Sequence, residues 1–474
     1  MLFNSYEFIF AFLPITFFIY FYLNRLHLGV ASKAFLVLSS LFFYSWWNIK
    51  YLPLILISML VNYTIGVELS NPKRLKKISK KSLLILGVAF NLALLGYFKY
   101  SDFFIKNINY LFHTKIELLN LALPLAISFY TFQQIAYLVD SYRGQTKEYD
   151  FLSYAVFVTF FPQLIAGPIV HHKEMMPQFN RLKNKLINYN NIALGLFIFF
   201  MGLFKKVIIA DTFAIYATQG FDTAKTLTML EGWATSLSYT MQLYFDFSGY
   251  TDMAIGAALL FNIKLPTNFL SPYKATSIQD FWRRWHITLS NFLRDYIYIP
   301  LGGNRKGELR TYINLFITFL LGGIWHGAGW TFVFWGALHG VGLIIHRAWQ
   351  KLKIKLPKIL AWFITFNFIN IAWVFFRAKS FDDALKVLKA MFSFEFNMPK
   401  LSAFLDGSWS KLFSSEPFLW LYLTIALFVV LFMPNSMELK SRFKTNILYL
   451  ILTIFFALSI FMLYRKSEFL YFNF

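Results

Sequence analysis

Apolar runs close to the thickness of a bilayer recur along nearly the whole 474-residue chain, and they constrain its fold more than any motif does. A backbone inside hydrocarbon must satisfy its own hydrogen bonds, so such runs fold as helices packed on helices. They fall at 8–23, 34–47, 53–68, 82–98, 121–139, 151–169, 191–210, 232–250, 312–325, 328–346, 359–376, 417–433 and 447–463. Each is near the ~20 residues a helix needs to cross. Several are short or broken by glycine or proline, which predicts re-entrant segments among ~10–12 crossings. Only 14% of the residues are charged, where a soluble protein carries roughly 25%. The expected fold is an all-α polytopic membrane protein, a single embedded domain over 1–474.

The placement of charge sets the topology. The net charge of +22 could suggest nucleic acid. Its densest run, NPKRLKKISKK over 71–81, is instead a short loop between two apolar segments, and no long basic domain stands outside the membrane. Basic loops stay cytoplasmic. Residues 24–33 and 71–81 therefore read as inside, which leaves the N-terminus outside. Lys440, Arg442 and Lys444 place 434–446 inside as well, and one more crossing leaves the C-terminal tail, 465–474, outside; Arg465 and Lys466 run against that placement. No cleavable signal peptide is evident. With no cysteine in the chain, a thiol nucleophile, a thioester relay and thiolate metal sites are excluded. Any acyl group carried covalently must sit on oxygen or on a histidine nitrogen.

One stretch is too polar to cross as a lipid-facing helix. Residues 263–311 mix aromatic, basic and polar side chains, and 279–299 can form amphipathic helices at the interface or in the protein interior. Residues 393–416 read as a surface loop. A 244–346 block holds most of the candidate chemistry. His326 lies in LGGIWHGAGWTFVFWGALHG, between long apolar segments. An ionisable side chain at membrane depth lines a cavity, does chemistry, or is a buried histidine bonded to a neighbouring helix. Histidine is also suited to take and return a proton near neutral pH. His286 closes FWRRWH, where Arg283 and Arg284 call for an anionic partner, a phosphate-bearing donor or a lipid headgroup.

The remaining polar residues give weaker signals. Asp246 and Asp252 in YFDFSGYTD need donors, with Arg283 or Arg284 the natural ones. His339 and His346 share a helix face weakened by Gly340 and Gly342, and His346 reads as interfacial. His171 and His172 read as a solvated loop; no metal motif accompanies them. Ser248 lacks a nucleophile elbow, and there is no P-loop or dinucleotide fingerprint. The chain ends FLYFNF. Such an end either anchors at the interface or threads inward to present Tyr471 as a nucleophile that needs a base.

Six stretches carry a resemblance: LPLAISFYTFQQIAYLVDSYRG (122–143), FPQLIAGPIV (161–170), GLFKKVIIAD (202–211), YFDFSGYTDMAIG (244–256), LPTNFLSPYKATSIQDFWRRWHITLSNFLRDYIYIPLGGNRKG (265–307) and GGIWHGAGWTFVFWGALHG (322–340). They resemble the membrane-bound O-acyltransferase family, and within it the bacterial branch that exports acetyl groups to polysaccharide. The resemblance implies helices around a transmembrane funnel or tunnel, with re-entrant or interfacial helices. It makes His326 the catalytic histidine and His286 a second site residue that orients the thioester or stabilises the oxyanion. It implies acetyl-CoA as cytoplasmic donor, no metal, and an extracytoplasmic SGNH-type partner that places acetyl on the glycan. Trp282, Arg283, Arg284 and Trp325 are the expected donor-binding residues. A related teichoic-acid D-alanylation system uses a small peptide with a similar aromatic end, so Tyr471 is the expected acyl carrier.

Multi-pass residence in a bacterial inner membrane follows from the same likeness. Peptidoglycan is the favoured polymer, because the Phe-, Lys- and Asn-rich composition is that of an AT-rich bacterial genome and most bacteria have that wall; alginate or another exopolysaccharide is the alternative. A transporter or flippase without bond-making chemistry would also explain broken helices and interior polar residues, as would a scaffold that only recruits the partner.

Overall fold

A computed structural model describes residues 1–71, 79–146, 150–393, 419–463 and 469–470. Among them the regular structure is helical throughout, with no strand. The core of the basic run (72–78), nearly all of the 393–416 loop and Tyr471 lie outside the described residues.

The chain divides into two compact units. One takes Met1–Phe204, Tyr250–Thr267 and Phe443–Asn473; the other takes Lys205–Gly249 and Asn268–Arg442. In the first unit, polar side chains hold apolar helices together. Ser58 and Asn62 on Leu52–Ser70, Asn91 on Lys80–Leu95 and Gln134 on Ile127–Tyr142 are all buried. Asn91 Nδ2 donates to Asn62 Oδ1 (2.6 Å), Asn62 Nδ2 returns a bond to Asn91 Oδ1 (3.1 Å), and Ser58 Oγ donates to Gln134 Oε1 (2.9 Å). Lipid is as apolar as leucine, so helices there associate through such bonds and close packing rather than through apolar burial. Glycine supplies the close packing: a Cβ on Gly256 would fall 2.6 Å from Gly195 O.

Five helices among the described residues are long and apolar enough to cross: Glu7–Arg25, Ile49–Ser70, Lys80–Phe112, Tyr189–Thr223 and Lys358–Arg377. A bent pair, Leu419–Phe432 with Ser436–Arg442, makes a sixth if it is one span. This is fewer than the apolar runs predict. The run at 121–139 folds as Ile127–Tyr142, of which nearly every residue is buried, and the run at 151–169 breaks after the nine-residue helix Phe151–Thr159. Helices inside protein and helices facing lipid have similar hydropathy, so composition cannot separate them.

The second unit is built around a tight helical hairpin, Glu308–His326 and Trp330–Lys351. A Cβ on Gly336 would lie 2.6 Å from Phe319 O, and one on Gly323 2.4 Å from Phe332 O. The two backbones therefore touch, and only glycine permits it. The first helix stops because Gly327 turns extended (φ −161°, ψ 151°), which leaves His326 as its last residue.

Candidate active site

His326 is buried at that helix end, 4% exposed, inside a cage of aromatic rings. Its ring centroid lies 4.7 Å from Trp325 and 5.1 Å from both Trp335 and Phe376. Trp335 stacks on Trp373 (5.7 Å), and Trp373 meets Trp285 (5.0 Å), the residue before His286. Three tryptophans thus join the neighbourhoods of the two histidines, which stand 40 positions apart in sequence.

The polar segment folds inward in short pieces. Ser277 caps Ile278–Trp282, its side chain accepting from Asp280 N (3.1 Å). The chain then doubles against 268–270: Leu270 N donates to Arg284 O and Ile287 N to Asn268 O, both at 3.0 Å. His286 sits at the turn, fully buried and in the left-handed region (φ 43°, ψ 54°), just before Ile287–Leu293. Its ring lies 4.8 Å from Phe247. His286 is outside the spanning helices, and burial pushes its imidazole down to about 3, which keeps it neutral at physiological pH.

A cavity of about 620 Å³ opens in the same unit. Four arginines line it: Arg283, Arg294, Arg305 and Arg347. Arg294 is paired with Asp295 (2.7 Å) and Arg347 with Glu308 (3.0 Å). Arg283 and Arg305 have no carboxylate partner among the described residues. Trp282 forms part of the wall and also touches the aromatic cage, 5.9 Å from Trp335. Trp335 therefore contacts both Trp282, in the cavity wall, and His326.

Of the residues expected to bind a donor, Trp282 and Arg283 line this cavity. Arg284 does not; its Nε donates to Asp280 Oδ1 at 2.8 Å. Trp325 packs on His326 instead. Arg347 and His346 line the cavity too. His339 is wholly buried, its Nδ1 accepting from Trp282 Nε1 (3.2 Å), and the helix runs unbroken through Gly340 and Gly342.

Two other expectations are corrected. Asp246 is held by Lys206 (2.6 Å), not by Arg283 or Arg284, and Lys206 also binds Asp211 (2.9 Å). Arg284 is paired with Asp280 and Arg283 lines the cavity, while the buried Lys206, in the π-helical turn Lys205–Ala210, reaches both acids. His172 is buried against Tyr137 and Phe157 rather than solvated, while His171 lies 3.5 Å from Asp140. Near the tail, Phe469 is 1% exposed and packs edge-on to Tyr250 at 4.4 Å. Phe469 is therefore packed inside protein.

The second unit thus holds a buried histidine whose aromatic cage touches the wall of an arginine-lined cavity. The sequence model of the membrane-bound O-acyltransferase family matches residues 41–381, and the chain belongs to that family. It is a membrane protein and an acyltransferase. It is 56% identical over 421 residues to a peptidoglycan O-acetyltransferase of Helicobacter pylori, covering 82% of this chain and 80% of that one. It is 42% identical over 401 residues to a probable alginate O-acetylase of Pseudomonas putida, with 83% and 81% covered. A teichoic acid D-alanyltransferase of Bacillus subtilis is 30% identical over 278 residues, 55% of this chain and 70% of that protein.

Proposed function

We propose that this chain takes acetyl from cytoplasmic acetyl-CoA and passes it across the bacterial inner membrane for O-acetylation of an extracytoplasmic polysaccharide, peptidoglycan first, through an SGNH-type partner. The observation that carries the reading is the buried His326 in a tryptophan cage whose edge, Trp282, is also the wall of an arginine-lined cavity. The 56% identity to a peptidoglycan O-acetyltransferase supports the choice of polymer. The alginate-type relatives, at 42% over a similar share of the chain, support exopolysaccharide as the second reading. A transporter without chemistry has no such support.

In this reading the donor's phosphates meet Arg283 and Arg305, the two cavity arginines without carboxylate partners among the described residues. His326 accepts the proton of an acceptor hydroxyl. That oxygen attacks the thioester carbonyl, the carbon–sulfur bond breaks, and the departing thiolate takes the proton back from His326, giving CoA thiol and an oxygen ester. His286 orients the reacting groups. Tyr471, at the outside end of the chain, is the acceptor hydroxyl. Its acetyl ester is then collected by the partner's serine. The buried approach of the tail at Phe469 supports a threaded end.

Replacing Arg283 and Arg305 together by Ala raises KM for acetyl-CoA by about 10-fold or more and leaves kcat nearly unchanged, since charge-assisted bonds of ~1.5–3 kcal/mol are lost equally from ground and transition states. Steady-state kinetics on the purified chain check it. Tyr471→Phe removes one oxygen and drops glycan O-acetylation to background. Acetyl content of isolated wall material checks that, and a normal level in the variant rules out the carrier.

A further inference from the structure

We propose that Asn268 is a positioning residue that fixes the tautomer of His286, so that this imidazole offers Nε2 to the site as a hydrogen-bond acceptor. The inference rests on His286 being a site residue, as argued above.

Three atoms converge on one oxygen. Asn268 Oδ1 receives Thr288 N at 3.2 Å and Thr288 Oγ1 at 2.9 Å, and His286 Nδ1 stands 3.2 Å away. A backbone N–H can only donate, so the side of the amide facing Thr288 is its oxygen and not its NH2. Carbonyl oxygen has no proton to give. The Nδ1 beside it must therefore carry one. A neutral imidazole with its proton on Nδ1 has its lone pair on Nε2.

The surroundings reinforce this arrangement. Asn268 and His286 are both 0% exposed, so water does not compete for the amide. The Asn268 main chain docks on the same turn, its carbonyl accepting from Ile287 N at 3.0 Å. His286 holds a left-handed conformation that costs a non-glycine residue ~1–3 kcal/mol, and strain of that kind persists only where neighbours over-determine it. The acids on the adjoining stretches are committed elsewhere, Asp246 to Lys206 and Asp280 to Arg284. Phe247 meets the ring edge-on at 84°.

The consequence changes the part His286 plays. An oxyanion is stabilised by donors, and Nε2 in this tautomer is an acceptor. His286 therefore receives a hydrogen bond from an N–H or O–H of a bound substrate and orients it, while other groups face the oxyanion.

The test uses the full chain labelled with isotopic histidine and nitrogen NMR, with His286 assigned by its loss in His286→Gln. Glycan O-acetylation in cells is the second readout. The native chain should show Nδ1 protonated and Nε2 unprotonated. Asn268→Leu should lose that signature and lower O-acetylation at least ~10-fold, the scale seen when functional histidines lose an orienting partner. Asn268→Asp keeps an accepting oxygen and should restore the Nδ1–H signature, which a merely structural role would not do. A native spectrum with Nε2 protonated overturns the inference, as does an Asn268→Leu variant that keeps both signature and transfer. If Asn268→Leu does not accumulate, the native and Asn268→Asp spectra decide. Full acetylation by His286→Gln would instead remove His286 from the site, and the spectrum would still decide the tautomer.

Discussion

His326→Ala lowers acetyl transfer by about 100- to 10,000-fold, the range that a positioned general base contributes. The residue is 4% exposed and terminates the Glu308–His326 helix, so nothing else on that helix end reaches the same place. Among its neighbours are the rings of Trp325, Trp335 and Phe376, which pack but do not take protons. Removing the imidazole therefore removes the base and leaves the cage. His326→Gln keeps most of the volume and isolates chemistry from packing. Both variants should reach the membrane at normal abundance, bind acetyl-CoA, and leave the glycan unacetylated. Acetyl released from wall material by mild alkali is the measurement. Transfer retained in both variants would contradict the general-base role.

Lys206→Met should destabilise the protein by ~3–5 kcal/mol, the loss expected when one member of a buried ion cluster is removed and its partners stay charged. Lys206 bridges Asp211 and Asp246, and all three are buried. The substitution removes the cation that both buried carboxylates bind. Replacing all three at once, Lys206→Met with Asp211→Asn and Asp246→Asn, should recover most of the loss, because a buried ion cluster is worth little more than a neutral one of the same shape. Thermal unfolding of the purified chain in detergent distinguishes them: the single variant falls well below the native chain and the triple variant lies near it. Equal midpoints for the native chain and the single variant would show that the cluster carries no stability.

The class of fold was legible because the hydrocarbon constraint acts on each run separately: length and apolarity suffice to read a helix. What was not legible depends on which runs meet. Ile127–Tyr142 reads as a crossing yet is buried on nearly every side, since hydropathy reports apolarity and not what surrounds it. Asp246 visibly needed a cation, but pattern pointed to the arginines of FWRRWH. It binds Lys206, 40 positions earlier in a π-helical turn. His326 stood out as a polar group in an apolar block, and His286 as the end of FWRRWH. That Trp285, Trp373 and Trp335 connect them required the second unit's packing. Asn268 gave no signal at all, since an asparagine between proline-containing stretches reads as an ordinary turn residue. Arg347 joined the cavity only when its helix folded back on Glu308–His326.

The central claim is that acetyl passes from a thioester to oxygen within this chain. Incubating the purified full chain with isotope-labelled acetyl-CoA, then digesting it and weighing the C-terminal peptide, tests it most directly. The expected result is stoichiometric CoA release with label on the peptide that contains Tyr471, abolished in His326→Ala. Release of no CoA by the native chain, or equal labelling in native and His326→Ala protein, would contradict it.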